Sequence, residues 1–284
     1  MTATKFVSLA SRSSLDLCPF TEQPLGIPKT TTDISSDGHV MVIKPAAPAA
    51  SGQACFPRLL PKHGRMPPIT VLPSLLSADF TRLADELAAC KAAGARLLHV
   101  DVMDGHFVPN LTFGPFMVEA MRRATDLHLD VHLMMTDPQK YIDDFRKAGS
   151  DAITIHVEAI GQRKLQTVMD QVKASGAKVG LALNPDTDPE LWFWAFAQVD
   201  LVMFMTVYPG FGGQAFIPQV RPRIRATRAK FPQLDIQVDG GIARDTIPLV
   251  IADGANRLVC GSAYFKDKDR AGFIKWAEGL SASS

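Results

Sequence analysis

The sequence predicts an α/β protein, a single (β/α)8 TIM barrel behind a poorly ordered N-terminal extension. Three observations predict it. From Pro67 onward, short β-branched or apolar runs alternate with longer amphipathic segments, the pattern of parallel βα units. The runs number eight, enough to close a barrel. Four of the intervening segments also end alike: Ala92-Ala93-Gly94, Lys147-Ala148-Gly149, Ala174-Ser175-Gly176 and Ala252-Asp253-Gly254 each put glycine where a helix stops in a left-handed cap. The competing architecture is an open doubly wound sheet, which uses the same units.

The expected strands are 69–72, 97–102, 129–133, 152–156, 178–183, 201–205, 235–238 and 257–260. Between the first two, residues 80–93 carry Leu83, Leu87 and Cys90 at helical spacing on one face. The barrel is expected over residues 66–284. Residues 1–65 differ: they are rich in Ser, Thr, Pro and Ala, lack periodicity, and include runs such as 44–52. Three readings of this extension stay open. It is a low-complexity tail, or an artefact of a start codon that belongs at Met66, or an organellar (plastid-like) targeting segment. Lys5 and Arg12 with no acid before Asp16 favour the last; Glu22, Asp33 and Asp37 weaken it. The cytoplasm is the expected compartment unless the extension is a transit peptide.

A hydrophobic fraction of 46% with 21% charged residues is that of a globular chain with a sizeable core. A formal net charge of +1 supplies no field for nucleic acid or an anionic membrane, and no run approaches the roughly 20 apolar residues that span a bilayer. Neither partner is expected. Cys18, Cys55, Cys90 and Cys260 form no CxxC pair and no disulfide framework, which fits a reducing compartment.

Polar residues gather at the C-terminal ends of the strands, where barrel enzymes place their sites. On the second strand His99 and Asp101 are two residues apart and share a face. On the third, His132 points away from Val131 and Leu133, and Asp239 stands at the tip of the seventh. Two imidazoles and two carboxylates at one barrel mouth suit a divalent transition metal, Zn²⁺ first, with Fe²⁺, Mn²⁺ or Co²⁺ as alternatives. A single buried histidine is usually a hydrogen-bonded core residue; four ligand-type residues at matching strand ends reverse that reading. His156, ending the fourth strand, is left as pocket lining or structure.

Glycine-rich turns follow the last three strands: 207–214, Gly240-Gly241 and Gly261-Ser262. Without Cβ atoms these turns let backbone N–H groups approach phosphate oxygens, and loops after strands 7 and 8 are a frequent phosphate cradle in barrels. Neither GxxxxGK[ST] nor a strand-linked GxGxxG is present, which argues against nucleotide hydrolysis or dinucleotide binding. Met103, Met134 and Met205 lie near strand ends. Most methionines there are core filler, but beside a metal they can wall a delocalised anion off from water.

These residues resemble a known family. PSLLSAD at 73–79, HVDVMDGHFVPN at 99–110, DVHLMM at 130–135, MTVYPGFGGQAF at 205–216, VDGG at 238–241 and GSA at 261–263 together are similar to the ribulose-phosphate 3-epimerases, over residues 67 to about 277. The resemblance implies interconversion of D-ribulose 5-phosphate and D-xylulose 5-phosphate, in the non-oxidative pentose phosphate pathway or the Calvin cycle, by a homo-oligomer. It implies a metal held by His99, Asp101, His132 and Asp239, with Asp101 the usual proton acceptor and Asp239 the usual donor. It further implies substrate and phosphate contacts by Ser74, His132, Gly210, Phe211, Gly212, Gly213, Asp239, Gly240, Gly241, Gly261 and Ser262. Tyr208 and Tyr264 depart from the family's pattern; the first would alter the loop above the phosphate, and neither touches the proposed metal ligands. A related six-carbon ketose phosphate such as allulose 6-phosphate would use the same ligands, and a catalytically silent phosphate-binding barrel is the reading from another class.

Overall fold

Strands buried on both faces draw on β-branched and aliphatic residues, and in the computed structural model, which describes residues 66–280, eight such strands are present. They are β1 (Thr70–Pro73), β2 (Leu97–Met103), β3 (His128–Met134), β4 (Ala152–His156), β5 (Lys178–Leu183), β6 (Leu201–Met205), β7 (Asp235–Asp239) and β8 (Arg257–Cys260). All pair in parallel in the order β1-β8-β7-β6-β5-β4-β3-β2, and a parallel bridge between Ser74 and His99 joins β1 to β2 and rounds the sheet into a barrel. The eight expected strands are therefore all found, with no end moved by more than one residue. The extension 1–65, with Cys18 and Cys55, lies outside the described residues, as do residues 281–284.

Helices α1 (Leu83–Ala92), α2 (Pro115–Ala124), α3 (Ile142–Lys147), α4 (Val157–Ile160) and α5 (Gln162–Ala174) wrap the first half of the sheet. The second half carries α6 (Phe193–Phe196), α7 (Arg221–Lys230), α8 (Ile247–Ala252), α9 (Ser262–Phe265) and α10 (Arg270–Glu278). The segment expected as one helix over 80–93 begins as a 3-10 turn at Phe80–Arg82, with Asp79 accepting from the Thr81 N–H, and is α-helical only from Leu83. Leu87 and Cys90 on its inner face are fully buried. Gly94, Gly149, Gly176 and Gly254 all have positive φ, so the repeated helix stop is real.

Two side-chain populations follow from the alternation of each strand. Leu98, Val100, Val102, Val131, Leu133, Ile236 and Val238 point outward and join the helices in the main apolar cluster. Their neighbours line the interior, where polarity is unusual: His99, Asp130, His132, Thr154, His156 and Gln237 are all fully buried. Charged and hydrogen-bonding groups inside a barrel persist only if they find partners, and all of these except Thr154 find one another.

Candidate active site

Asp130 on β3 is the hub beneath the mouth. Its Oδ2 accepts from His99 Nδ1 at 2.8 Å and from Gln237 Nε2 at 2.8 Å, so β2, β3 and β7 are cross-linked through one carboxylate. Because an ionised carboxylate only accepts, His99 carries a proton on Nδ1, and the neutral imidazole that would bind a cation has its lone pair at Nε2. That nitrogen is buried and makes no hydrogen bond. It faces Asp101 Oδ1 at 3.3 Å and Asp239 Oδ2 at 3.8 Å.

One layer higher, His132 Nδ1 lies 3.3 Å from the same Asp101 Oδ1 and 3.8 Å from the same Asp239 Oδ2. Ser74 donates its hydroxyl to Asp101 Oδ2 at 2.7 Å, which leaves Oδ1 turned toward the imidazoles. One donor atom from each of His99, Asp101, His132 and Asp239 falls within 4.8 Å of all the others. Four donors held at about 2.1 Å from one cation would stand roughly 3.4 Å apart, so the four imidazole–carboxylate separations of 3.3–3.8 Å and an unpartnered imidazole nitrogen suit a four-coordinate ion, toward which the remaining pairs, within 4.8 Å, would draw in.

Crowding divides the protons unevenly between the two acids. Burial opposes ionisation of Asp101, but the neighbouring imidazoles of His99 and His132 outweigh it and hold the carboxyl well below its usual range. Asp239 goes the other way: burial first, then the Asp101 charge, push it up to about 7. Burial also lowers His132 to about 4, so this imidazole is neutral near pH 7. One carboxylate is thus poised to accept a proton and the other to hold one.

Above the quartet opens a cavity of about 550 Å³. Ser74, Asp101 and Asp239 reach it from the floor with Met103, Met134 and Met205 around them, while His99 and His132 are fully buried below. Its far wall is backbone: Gly210, Phe211, Gly212, Gly213, Gly240, Gly241, Gly261 and Ser262 all line it, and among the described residues no lysine or arginine does. Gly241 shows why the wall needs glycine. Its φ is +64°, and a Cβ would stand 2.7 Å from the Phe216 nitrogen.

Every residue expected at the site therefore lies in or directly under this one cavity. Tyr208 is exposed on the β6 loop, and Tyr264 is buried against Phe265 and Phe273, so neither departure reaches the quartet. Sequence reasoning assigned nothing to Asp130, Gln237 or Glu158 and left His156 ambiguous. Asp130 was recoverable, since it shares a strand face with His132; the others become meaningful only across strands. Asn110 is another such case, donating from its side chain to the Gly210 carbonyl at 2.7 Å.

A parallel barrel with a His/Asp quartet at its C-terminal mouth, beside a glycine-walled cavity that no described lysine or arginine lines, has the make-up of a barrel enzyme. Comparison with known proteins narrows the class. The model of the ribulose-phosphate 3 epimerase family matches residues 70–265. A ribulose-phosphate 3-epimerase of Bacillus subtilis is 48% identical over 207 residues, covering 71% of this chain and 94% of that one. The chloroplastic ribulose-5-phosphate-3-epimerase of Arabidopsis thaliana is 45% identical over 219 residues, 76% of this chain and 77% of its own. This chain belongs to the ribulose-phosphate 3-epimerase family. Among solved structures, 3-hexulose-6-phosphate synthase (TM-score 0.55, 21% identity, 76% of this chain and 100% of that one) shares the fold. So does a tryptophan synthase alpha-subunit from Pyrococcus furiosus (TM-score 0.55, 14% identity, 75% and 97%). At those identities the likeness concerns the barrel alone.

Proposed function

We propose that the chain is a metal-dependent epimerase that interconverts D-ribulose 5-phosphate and D-xylulose 5-phosphate, with Asp101 and Asp239 as its acid and base. The observation that carries this reading is the convergence of two carboxylates of opposed proton affinity on one point of a cavity floor. Inverting carbon 3 means removing a C–H proton beside the carbon 2 carbonyl and returning one to the other face. A single acid would restore the starting sugar; two, one on either side of the carbon plane, complete the inversion and exchange roles in the reverse direction.

His99, Asp101, His132 and Asp239 would hold the metal, Zn²⁺ first among candidates, and when bound it supplies Lewis-acid stabilisation to the anionic sugar. Asp101, kept ionised, takes the proton from one face. Asp239, which holds a proton to near neutral pH, delivers one to the other. Ser74 keeps Asp101 Oδ1 turned to the reacting side. Met103, Met134 and Met205 exclude water, which strengthens every charge interaction at the floor. The glycine loops grip the phosphate through backbone N–H groups, with Ser262 at the start of the short helix α9, and so position the sugar with binding energy remote from the reacting carbon.

Incubating the full chain with each ketose 5-phosphate and following the epimer by NMR, before and after treatment with a chelator, tests the reading; absence of epimer from both sugars would end it. The ratio of kcat/KM for ribulose 5-phosphate and allulose 6-phosphate separates the two epimerase readings, and neither metal nor turnover would leave the silent barrel. Leu111 and Phe116, each about three-quarters exposed on the segment after β2, favour assembly with further copies, which light scattering measures. No helix among the described residues is long and apolar enough to cross a membrane. Relatives are named both chloroplastic, in Arabidopsis thaliana, and cytoplasmic, in Oryza sativa. We keep the cytoplasm as the compartment and residues 66–284 as the catalytic domain; N-terminal sequencing of native protein and the activity of a chain begun at Pro67 test the two points.

A further inference from the structure

Both imidazoles of the quartet must present an unprotonated nitrogen to bind a cation, and each needs its other nitrogen held. For His99 the Asp130 carboxylate does this directly, at 2.8 Å. His132 has no carboxylate on its far side. Its Nε2 instead stands 2.9 Å from His156 Nε2, and His156 Nδ1 lies 3.1 Å from Glu158 Oε2.

We infer that Glu158, acting through His156, fixes His132 as the tautomer whose Nδ1 faces the metal, which makes His156 and Glu158 positioning residues for the site. The inference rests on the metal reading above. An ionised carboxylate can only accept, so His156 carries its proton on Nδ1. A neutral imidazole then has only a lone pair at Nε2, so the His132 Nε2 must be the donor. The remaining lone pair of His132 points from Nδ1 at Asp101 and Asp239. Each link leaves the next a single arrangement.

The relay is held at both ends. Both histidine side chains are fully buried, so bulk water offers no substitute partner. Their rings stack at 5.0 Å between centroids, and Phe107 packs against His156 at 4.8 Å. Glu158 is pinned by the segment after β5: its Oε1 accepts the Asn184 N–H at 2.8 Å and the Thr187 hydroxyl. That second attachment makes Glu158→Gln informative. An amide whose oxygen serves His156 presents N–H groups to the donors of Asn184 and Thr187; turned over, it presents a donor to His156 and reverses the relay.

The test uses the full chain and Zn²⁺ or Co²⁺ as probes. Affinity is read by competition with a chromophoric chelator, and coordination by the Co²⁺ absorption bands. Glu158→Gln and His156→Phe should each weaken Zn²⁺ binding by about 10–100-fold and alter the Co²⁺ spectrum, with unchanged circular dichroism. Affinity and spectrum equal to the wild type in Glu158→Gln overturn the inference while leaving the metal reading intact. A wild-type chain that binds neither ion overturns both. Should His156→Phe fail to fold, Glu158→Gln decides, since its side chain sits at the rim of the cluster, 23% exposed.

Discussion

Arg122 and Arg228 hold matching places in opposite quarters of the barrel. Arg122 on α2 packs under Gly149, donates to the Thr125 and Leu127 carbonyls, and pairs with Asp151, whose Oδ2 also accepts the Leu129 N–H at 2.8 Å. Arg228 on α7 packs under Gly254, donates to the Phe231 and Leu234 carbonyls, and bonds Asn256, whose Oδ1 accepts the Ile236 N–H at 2.8 Å. The two corners fix how β3 and β7 enter the sheet. Counting up from Leu129 and Ile236, the next residue is Asp130 in one and Gln237 in the other, and these bond each other across the barrel at 2.8 Å. Two residues further stand His132 and Asp239. The same scaffold thus delivers an imidazole from one quarter and an acid from the other. Above them the quarters part: β2 to β4 bring buried histidines, β6 to β8 bring glycine backbone. The lesson is that the base of the barrel sets register, and the identity of single residues at the strand tips sets chemistry.

The comparison breaks most visibly at the tips. Asp239→Asn should keep the fold and lose about 10³-fold or more in kcat, because an amide cannot exchange the proton; an epimerase assay checks it, and Asp101→Asn should match it. Next in size, Asp130→Asn should weaken Zn²⁺ binding by about 10–100-fold, measured by chelator competition, since the amide no longer dictates which nitrogen of His99 is protonated. Gly241→Ala should raise KM for the sugar phosphate by roughly ten-fold or more with a smaller change in metal affinity, because the new Cβ displaces Phe216 and the phosphate wall.

A pH series sharpens the asymmetry between the two acids. The folded Asp239 titrates near 7 against an unfolded value of 3.8, so this group binds more proton in the folded chain between these limits and its contribution to stability falls as pH rises from about 4 to 7. In chelator-treated protein, the melting temperature of Asp239→Asn minus that of the parent should be near zero at pH 4 and increasingly positive toward pH 7. His132, present in both, cancels in the difference.

The smallest effects belong to the base. Arg228→Ala should cost about 2–4 kcal/mol and Arg122→Ala somewhat less, read by denaturant unfolding, with KM unchanged, because each strands several buried carbonyls. Asp151→Asn should cost less than about 1 kcal/mol: Asn256 already performs that task with an amide, and the Arg122–Asp151 pair is partly exposed. A large loss there would show that the two corners are not equivalent.

Local chemistry made much of this readable beforehand. Alternating runs named all eight strands, the four glycine stops named the repeat, and ligand-type residues at strand tips named the quartet, because periodicity and side-chain type are properties of short segments. What short segments do not contain is the partner across the barrel. Gln237 and Asp130 are 107 residues apart, and His132 and His156 are 24. His156 could be given no role from its own strand, since a histidine's function is decided by what holds its second nitrogen. By itself the sequence determined the barrel, the family and the atoms available for chemistry. Only the tertiary structure decided which nitrogen of each imidazole is bare and which carboxyl is ionised, because tautomers and proton affinities are set by distance and burial between residues remote in the chain.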